Sequence, residues 1–221
     1  MRIILAGYGK MGQLIGKIAQ DRGHEIVGII EKDTPSNHYS EIMKRGEVLI
    51  DFTGPNAAFP IIMKSIENES AVISGSTGWL DRFNEVTSMV NQKNGSFLYA
   101  SNFSLGVNLF FSLNEYLVSI MQKYPEYIPS IKEIHHTEKL DAPSGTAISL
   151  SQAFQKLPPI ESLREKDVPG THIIEFNSSV DTIKIQHVAK NRNGFAIGAV
   201  MAAEWVVGKK GIFSMKDVLK F

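Results

Sequence analysis

Two sets of residues in this chain have types and spacings that could do chemistry. The first lies in EIHHTEKLDAPSGTA, Glu133–Ala147. His135 and His136 are adjacent, Lys139 follows, and Asp141-Ala-Pro-Ser-Gly-Thr146 reads as the opening of a helix. Imidazole and ammonium groups can carry protons for a reaction. A helix start leaves backbone amides free to meet an anion, here with the Ser144 and Thr146 hydroxyls beside them. A histidine, Lys139 and Ser144-Gly145-Thr146 together suit holding a carboxylate and delivering a proton. On an ideal strand His135 and His136 point to opposite faces, so both serve one pocket only where the strand ends. Thr137–Asp141 signals that end. Asp141 and Ser144 are both good cap residues for the helix.

The second set is Gly7-Tyr8-Gly9-Lys10-Met11-Gly12, a G-x-G-x-x-G run. Alone the pattern is weak. It gains meaning because an apolar run precedes it and an amphipathic helix follows, the context of a dinucleotide-binding loop. Gly7 allows a tight turn, Gly9 lets backbone approach a pyrophosphate, and Gly12 lets the helix pack close to its sheet. Glu31 ends the next apolar run, nineteen residues after Gly12, where an acid can accept from a ribose hydroxyl. Lys32 beside it can hold a 2′-phosphate, so NADH and NADPH are both expected cofactors. Gly75-Ser76-Thr77 and Ala100-Ser101-Asn102-Phe103 end two later strands, the edge where open α/β sheets bind ligands. Plain turn chemistry explains either one equally well.

Other chemistries fit poorly. His24, His38, His172 and His187 are scattered and no H-x₃-H spacing occurs, so no metal is expected. Ser144 is not in G-x-S-x-G. No cysteine is present, which excludes disulfides and thiolate chemistry.

The elements that must position these residues follow from periodicity. Strand-like runs occur at Ile3–Ala6, Ile26–Ile30, Val48–Phe52, Ala71–Ser74 and Phe97–Tyr99. Met11, Leu14, Ile15, Ile18 and Ala19 form one helical face, with Gly23 as its stop. Asn56–Glu67 and Asp81–Gln92 are further helices. Between Glu31 and Gly46 there is room for only about a turn or two. Alternating strands and helices predict a parallel, doubly wound α/β sheet over residues 1–104. Beyond it the spacing predicts a helix over Leu105–Gln122, a strand over Tyr127–His136, a helix from Ser144 to Lys156 and a polar loop over Leu157–Pro169. Strands of an antiparallel sheet follow at Thr171–Asn177 and Thr182–Ala189, then a helix at Ala196–Val207. Residues 105–199 therefore read as an α+β domain, with 200–221 returning to the first.

The 221 residues are 43% hydrophobic, enough for a real core, and carry 23 basic and 23 acidic side chains. That balance gives no general attraction to nucleic acid. No apolar run approaches the roughly 20 residues of a membrane span, and the N-terminus reads as a strand. A soluble cytoplasmic protein is the expectation.

The chain resembles the dihydrodipicolinate (4-hydroxy-tetrahydrodipicolinate) reductase family of lysine and diaminopimelate synthesis nearly end to end. The matching segments are GYGKMG, DFTGP, GSTGW, ASNFSLGVN, EIHHTEKLDAPSGTA, VPGTH and the IQHVAKNR…FAIGAVMAAEW region. The resemblance implies a Rossmann domain plus a substrate and oligomerisation domain whose open mixed sheet builds a homotetramer. It implies that His135 and Lys139 handle the proton. His136, Ser144, Gly145 and Thr146 would bind a carboxylate of a small cyclic substrate. Tyr8, Lys10 and Met11 with the loop glycines, Glu31, Lys32, Gly75–Thr77 and Ala100–Phe103 would bind NADH or NADPH. The chain departs from the family in a glycine loop one residue shorter than in many members. It also has Lys32 where arginine is common, and a shorter segment after the second strand. Two rivals stand beside this reading: another NAD(P)-dependent reductase, and a non-catalytic dinucleotide-binding regulator. The first lacks its signatures here, such as a catalytic cysteine. The second has no use for His135, Lys139 and Ser144–Thr146 together.

Overall fold

A computed structural model describes residues Met1–Lys220; Phe221, the last residue of the predicted returning segment, lies outside the described residues. The chain forms two compact units, Met1–Ser104 with the segment from Phe195 onward, and Leu105–Gly194.

The first unit is built on β1 (Arg2–Ala6), α1 (Lys10–Asp21), β2 (Glu25–Ile30), α2 (Tyr39–Met43), β3 (Val48–Asp51), α3 (Pro55–Glu67), β4 (Ala71–Ser74), α4 (Phe83–Lys93) and β5 (Ser96–Tyr99). Its six-stranded parallel sheet runs β10-β5-β4-β3-β1-β2, where β10 is Gly211–Phe213. Both faces are covered, so its strands are continuous apolar runs rather than alternating ones. Ile3 and Leu5 join Ile15 and Ala19 of α1 in one core layer, while Ile4 and Ala6 join Ile61 and Ile62 of α3 in the other. This is the Rossmann arrangement that the glycine run and the βα alternation predict. Helix α1 stops as expected: Gly23 takes φ +81° just beyond its last turn.

The chain returns to this unit through α7 (Asn193–Val206), β10 and α8 (Met215–Leu219). Helix α7 is rich in alanine, and Gly198 lies against the backbone of Phe103: a Cβ there would sit 1.7 Å from the Phe103 carbonyl oxygen. β10 pairs with β5 as an edge strand, and Ser214 and Asp217 close a capping box on α8. The sequence reading did not separate this last strand, which is only three residues long.

The second unit holds α5 (Leu105–Met121), β6 (Ile128–His135), α6 (Gly145–Ser151), β7 (Ile160–Arg164), β8 (Thr171–Asn177) and β9 (Thr182–Val188). Its sheet order is β7-β6-β8-β9; β6 pairs parallel with β7 and antiparallel with β8, so the sheet is mixed. Ile131, Ile174 and Phe176 project from one face onto Phe110, Ala147 and Leu150. Two expectations are corrected here. Helix α6 ends at Ser151, not Lys156, because Ala153 and Phe154 tighten into i→i−3 bonds and Phe154 stacks on Phe176 at 5.8 Å. The polar stretch after it contains β7, whose order comes from pairing with β6. An edge strand of this kind carries no long apolar run to mark it.

Candidate active site

Parallel strands of the first unit end on one edge, and the turns that follow β1, β2 and β3 line a cavity of about 520 Å³. Of the expected cofactor residues, Gly7, Tyr8, Gly9, Glu31 and Lys32 line it, joined by Thr53 and Gly54. The glycines fit a phosphate-bearing ligand for separate reasons. Gly7 takes φ +82°, and a Cβ there would strike the Phe52 carbonyl oxygen at 2.4 Å. A Cβ on Gly12 would lie 2.0 Å from the Gly7 carbonyl oxygen, so α1 packs against the loop only with glycine there. Nothing lies within 4 Å of the Cβ position of Gly9, which leaves its backbone open to a ligand. Gly9 is also the N-cap of α1, with no side-chain cap, so the helix amides are uncovered. These features fit a dinucleotide pyrophosphate. Lys10, Met11 and Gly12 belong to the first turn of α1 rather than to the cavity wall.

Gly75–Thr77 and Ala100–Phe103 follow β4 and β5 on the same edge of the sheet, and neither turn is in the lining of that cavity. Asp51 organises the β3 and β4 ends. It is fully buried and accepts from the Thr53 amide (3.0 Å), the Thr53 hydroxyl (2.6 Å) and the Ser74 hydroxyl (2.8 Å). Burial pushes its carboxyl above the ordinary range, against the pull of those hydrogen bonds. The Ser76 hydroxyl is 3.4 Å from that of Thr53. Phe103 is 1% exposed and packs on Phe52, so only its backbone can face a ligand.

In the second unit the residues of Glu133–Ala147 fall at distinct positions, from the end of β6 through a loop to the start of α6. Strand β6 carries Glu133 and His135 on one face, two residues apart, and ends at His135. Glu133 is wholly buried, and Oε1 and Oε2 accept from the Ser144 amide at 3.0 and 3.1 Å. Register then brings in two further residues. Glu133 is opposite His172 on β8, and His135 is opposite Arg164 on β7. His135 Nδ1 is 3.4 Å from Glu133 Oε2, His172 Nε2 is 3.9 Å from the same oxygen, and the two rings meet edge-on at 5.0 Å. Arg164 reaches Glu133 at 3.4 Å and donates to the carbonyls of Lys139 (3.1 Å) and Asp141 (2.5 Å), clamping the loop after the strand.

Electrostatics divide these groups. Burial drives the His172 imidazole down to about 4, helped by the neighbouring His135 charge, so it is neutral at pH 7. Burial also lowers His135, with Lys139 and Arg164 adding to the shift, while Glu133 and Asp141 oppose it. Burial would raise Glu133, but the neighbouring Ser144 and Ser162 groups and the His135 charge outweigh it, and the net shift is downward. The Lys139 ammonium is bound to both Asp141 oxygens at 2.7 and 2.8 Å, which holds that carboxyl below its usual range.

Ser144, not Asp141, is the N-cap: its Oγ accepts from the Ala147 amide at 3.2 Å. Its amide is held by Glu133 and its hydroxyl is buried 3.4 Å from His172, so its polar atoms face inward. Gly145 opens onto free space and Thr146 follows it in the first turn. His136 lies just past the strand end, half-buried, with its Nδ1 atom enclosed. Sequence reading missed Glu133, Arg164 and His172. Glu133 carried a usable signal, an acid two residues before a histidine in a strand, hence on its face. The other two had none, since strand pairing brings them in. Glu133, His135 and His172 offer donor atoms all within 4.8 Å of one another, a grouping that histidine spacing alone did not suggest.

Comparison with known proteins covers both units. The family model described as "Dihydrodipicolinate reductase, N-terminus" matches residues 1–103, and "Dihydrodipicolinate reductase, C-terminus" matches 106–219. A 4-hydroxy-tetrahydrodipicolinate reductase of Christiangramia forsetii is 45% identical over 99% of this chain and 98% of its own. One from Methanoregula boonei is 33% identical over 98% and 96%. Among solved structures, dipicolinate-bound dihydrodipicolinate reductase from Paenisporosarcina sp. TG-14 superposes with a TM-score of 0.81. It is 21% identical and covers 98% of each chain, a likeness of fold.

Proposed function

The chain belongs to the dihydrodipicolinate reductase family, and from that premise we propose that it reduces 4-hydroxy-tetrahydrodipicolinate to tetrahydrodipicolinate, with NADH or NADPH as reductant. The balance is one substrate, one NAD(P)H and one proton giving product, NAD(P)⁺ and water. The observation that carries the reading is the coexistence in one chain of a glycine-loop cavity rimmed by Glu31 and Lys32 and a strand end bearing His135, His136 and Lys139. A regulator would need only the first.

When bound, the cofactor supplies the hydride; the protein supplies orientation and charge. Glu31 accepts from the ribose, Lys32 meets a 2′-phosphate where one is present, and the α1 amides face the pyrophosphate. Gly75–Thr77 and Ala100–Phe103 serve the nicotinamide half, on the same sheet edge. The cyclic dicarboxylate is held at one carboxylate by His136 and the Gly145–Thr146 amides; the open space beside Gly145 supports the role. His135 and Lys139 hold and move the proton, with Lys139 released from Asp141 to do so. Both groups are cationic acids when protonated, and the half-enclosed setting strengthens their pull on a developing negative charge.

The protein acts as a homotetramer built through the second unit's sheet. The sheet face opposite α5 and α6 supports this: Lys132 pairs with Glu161 at 3.0 Å and Lys184 with Glu175 at 3.6 Å beside the buried Ile173. Among the described residues no helix is long and apolar enough to cross a membrane, which accords with a cytoplasmic biosynthetic enzyme of lysine and diaminopimelate formation.

The test is NADH oxidation with enzymatically generated substrate, repeated with NADPH. Turnover with either supports the reading. Cofactor binding without turnover would favour the regulator, and turnover only on an unrelated carbonyl substrate would favour another reductase. Sedimentation equilibrium at micromolar protein should give four chains; a monomer would remove the assembly.

A further inference from the structure

The buried acid Glu133 has no part in the chemistry described above, yet it sits at the centre of the cluster. It joins four elements: its own strand β6, the N-cap of α6 through the Ser144 amide, β7 through Arg164 and β8 through His172. A fully buried carboxylate is expensive unless its neighbours satisfy it. Its two oxygens already accept from an amide and face a guanidinium. Both features disfavour a metal ion on the Glu133–His135–His172 grouping, since Arg164 already meets the carboxylate charge at Oε1 and the Ser144 amide spans both oxygens.

We propose that Glu133 is the positioning residue of His135, accepting a hydrogen bond from the Nδ1–H of its ring and so presenting Nε2 as the atom that exchanges a proton with substrate. The proposal rests on the reading of His135 as a proton-handling group. Three observations carry it. His135 Nδ1 is buried without a hydrogen-bond partner, and Glu133 Oε2 stands 3.4 Å from it, a gap that a small ring rotation closes. Such bonds are often long before a ligand binds. The opposite edge of the ring is kept clear: a Cβ on Gly170 would lie 3.2 Å from Nε2, so glycine leaves that nitrogen uncovered by a side chain. His172 is edge-on to His135 and itself held neutral, so it does not compete for the Glu133 charge. Fixing one ring nitrogen by a buried carboxylate sets the tautomer and raises the basicity of the other.

The groups facing His135 are Glu133 on its own strand, Lys139 and Asp141 in the following loop, Arg164 on β7 and His172 on β8. Of the two acids, Glu133 opposes the downward shift of His135 more strongly. Replacing it by a neutral isostere therefore lowers the His135 pKa and moves the corresponding limb of the kcat profile to lower pH. Glu133→Gln keeps an oxygen for the Ser144 amide. It should reduce kcat about 100-fold, the scale of a lost acid–base partner, with KM for the dicarboxylate changed by less than about threefold. Glu133→Asp, which keeps the charge, should restore the pH limb. If both variants lose kcat and KM together with the limb unmoved, Glu133 is merely structural and the proposal falls. Should Glu133→Gln fail to fold, ring ¹⁵N NMR of the intact wild-type protein decides: a proton on Nδ1 of His135 is expected, and one held on Nε2 overturns it. Full activity in His135→Gln would instead sink the functional reading itself, which keeps the two failures apart.

Discussion

The neutrality of His172 makes a quantitative prediction about stability in acid. Its side chain is 5% exposed, its Nδ1 has no hydrogen-bond partner, and it faces His135. Burial first, and that neighbour second, bring its pKa from 6.5 to about 4. A histidine whose folded pKa is depressed binds fewer protons folded than unfolded between those two values. Stability is therefore complete above about pH 6.5 and is lost as pH falls towards the folded value. A shift of about 2.5 units corresponds to about 3 kcal/mol in full, of which about 2 kcal/mol is already lost at pH 5. Other groups also titrate in this range, so the quantity to measure is a difference. Urea unfolding of wild type and His172→Gln at pH 7.5 and pH 5 gives four free energies. The wild type should lose about 2 kcal/mol more than the variant over that interval. Equal losses in both proteins, or a His172 ring that titrates near its ordinary value by NMR, would refute the electrostatic account of the cluster. His172 would then be protonated alongside His135, and the division of roles among the imidazoles would fail.

Further outcomes follow from the same geometry. His135→Gln and Lys139→Ala should each lose most of kcat, on the order of 100-fold or more, while coenzyme affinity by fluorescence titration stays near wild type. Retained activity in both removes them from the mechanism. Lys32→Ala should raise KM for NADPH and leave KM for NADH nearly unchanged, because only the former carries a phosphate for the ammonium to meet; equal effects would place Lys32 outside the ribose site. Gly12→Ala forces a Cβ to 2.0 Å from the Gly7 carbonyl oxygen. It should destabilise the protein by about 2 kcal/mol or more in thermal unfolding and abolish cofactor binding. A variant with wild-type melting and binding contradicts the packing argument. Glu204 is bound by Arg22 at 2.7 Å, and this pairing, with His24 beside it, depresses its carboxyl. Its contribution is present above the unfolded value and vanishes as pH falls through the folded one. The Glu204→Gln variant should accordingly show a flatter melting temperature profile below about pH 4.5, and an unchanged profile would refute the pairing.

The sequence carried whatever depends on short stretches of chain. The glycine run is legible because each glycine answers a local demand: a positive φ at Gly7, close packing at Gly12 and open backbone at Gly9. The β1–α1 unit is legible because the helix face and the apolar strand repeat at their own periods. His135, His136 and Lys139 are legible because they crowd into five residues. Strand β7 was not legible: Ile160–Arg164 is short and polar, and it is ordered by pairing with β6 rather than by its own pattern. The same cause hid half of the histidine cluster. Glu133 meets His172 thirty-nine residues later, and His135 meets Arg164, through strand register alone. Register is set by which faces of four strands can be buried together, a property of the folded sheet. The sequence by itself determined which groups could bind a dinucleotide and carry a proton. Only the tertiary structure decided which of them are buried, neutral or held, because burial and partner charges come from residues distant along the chain.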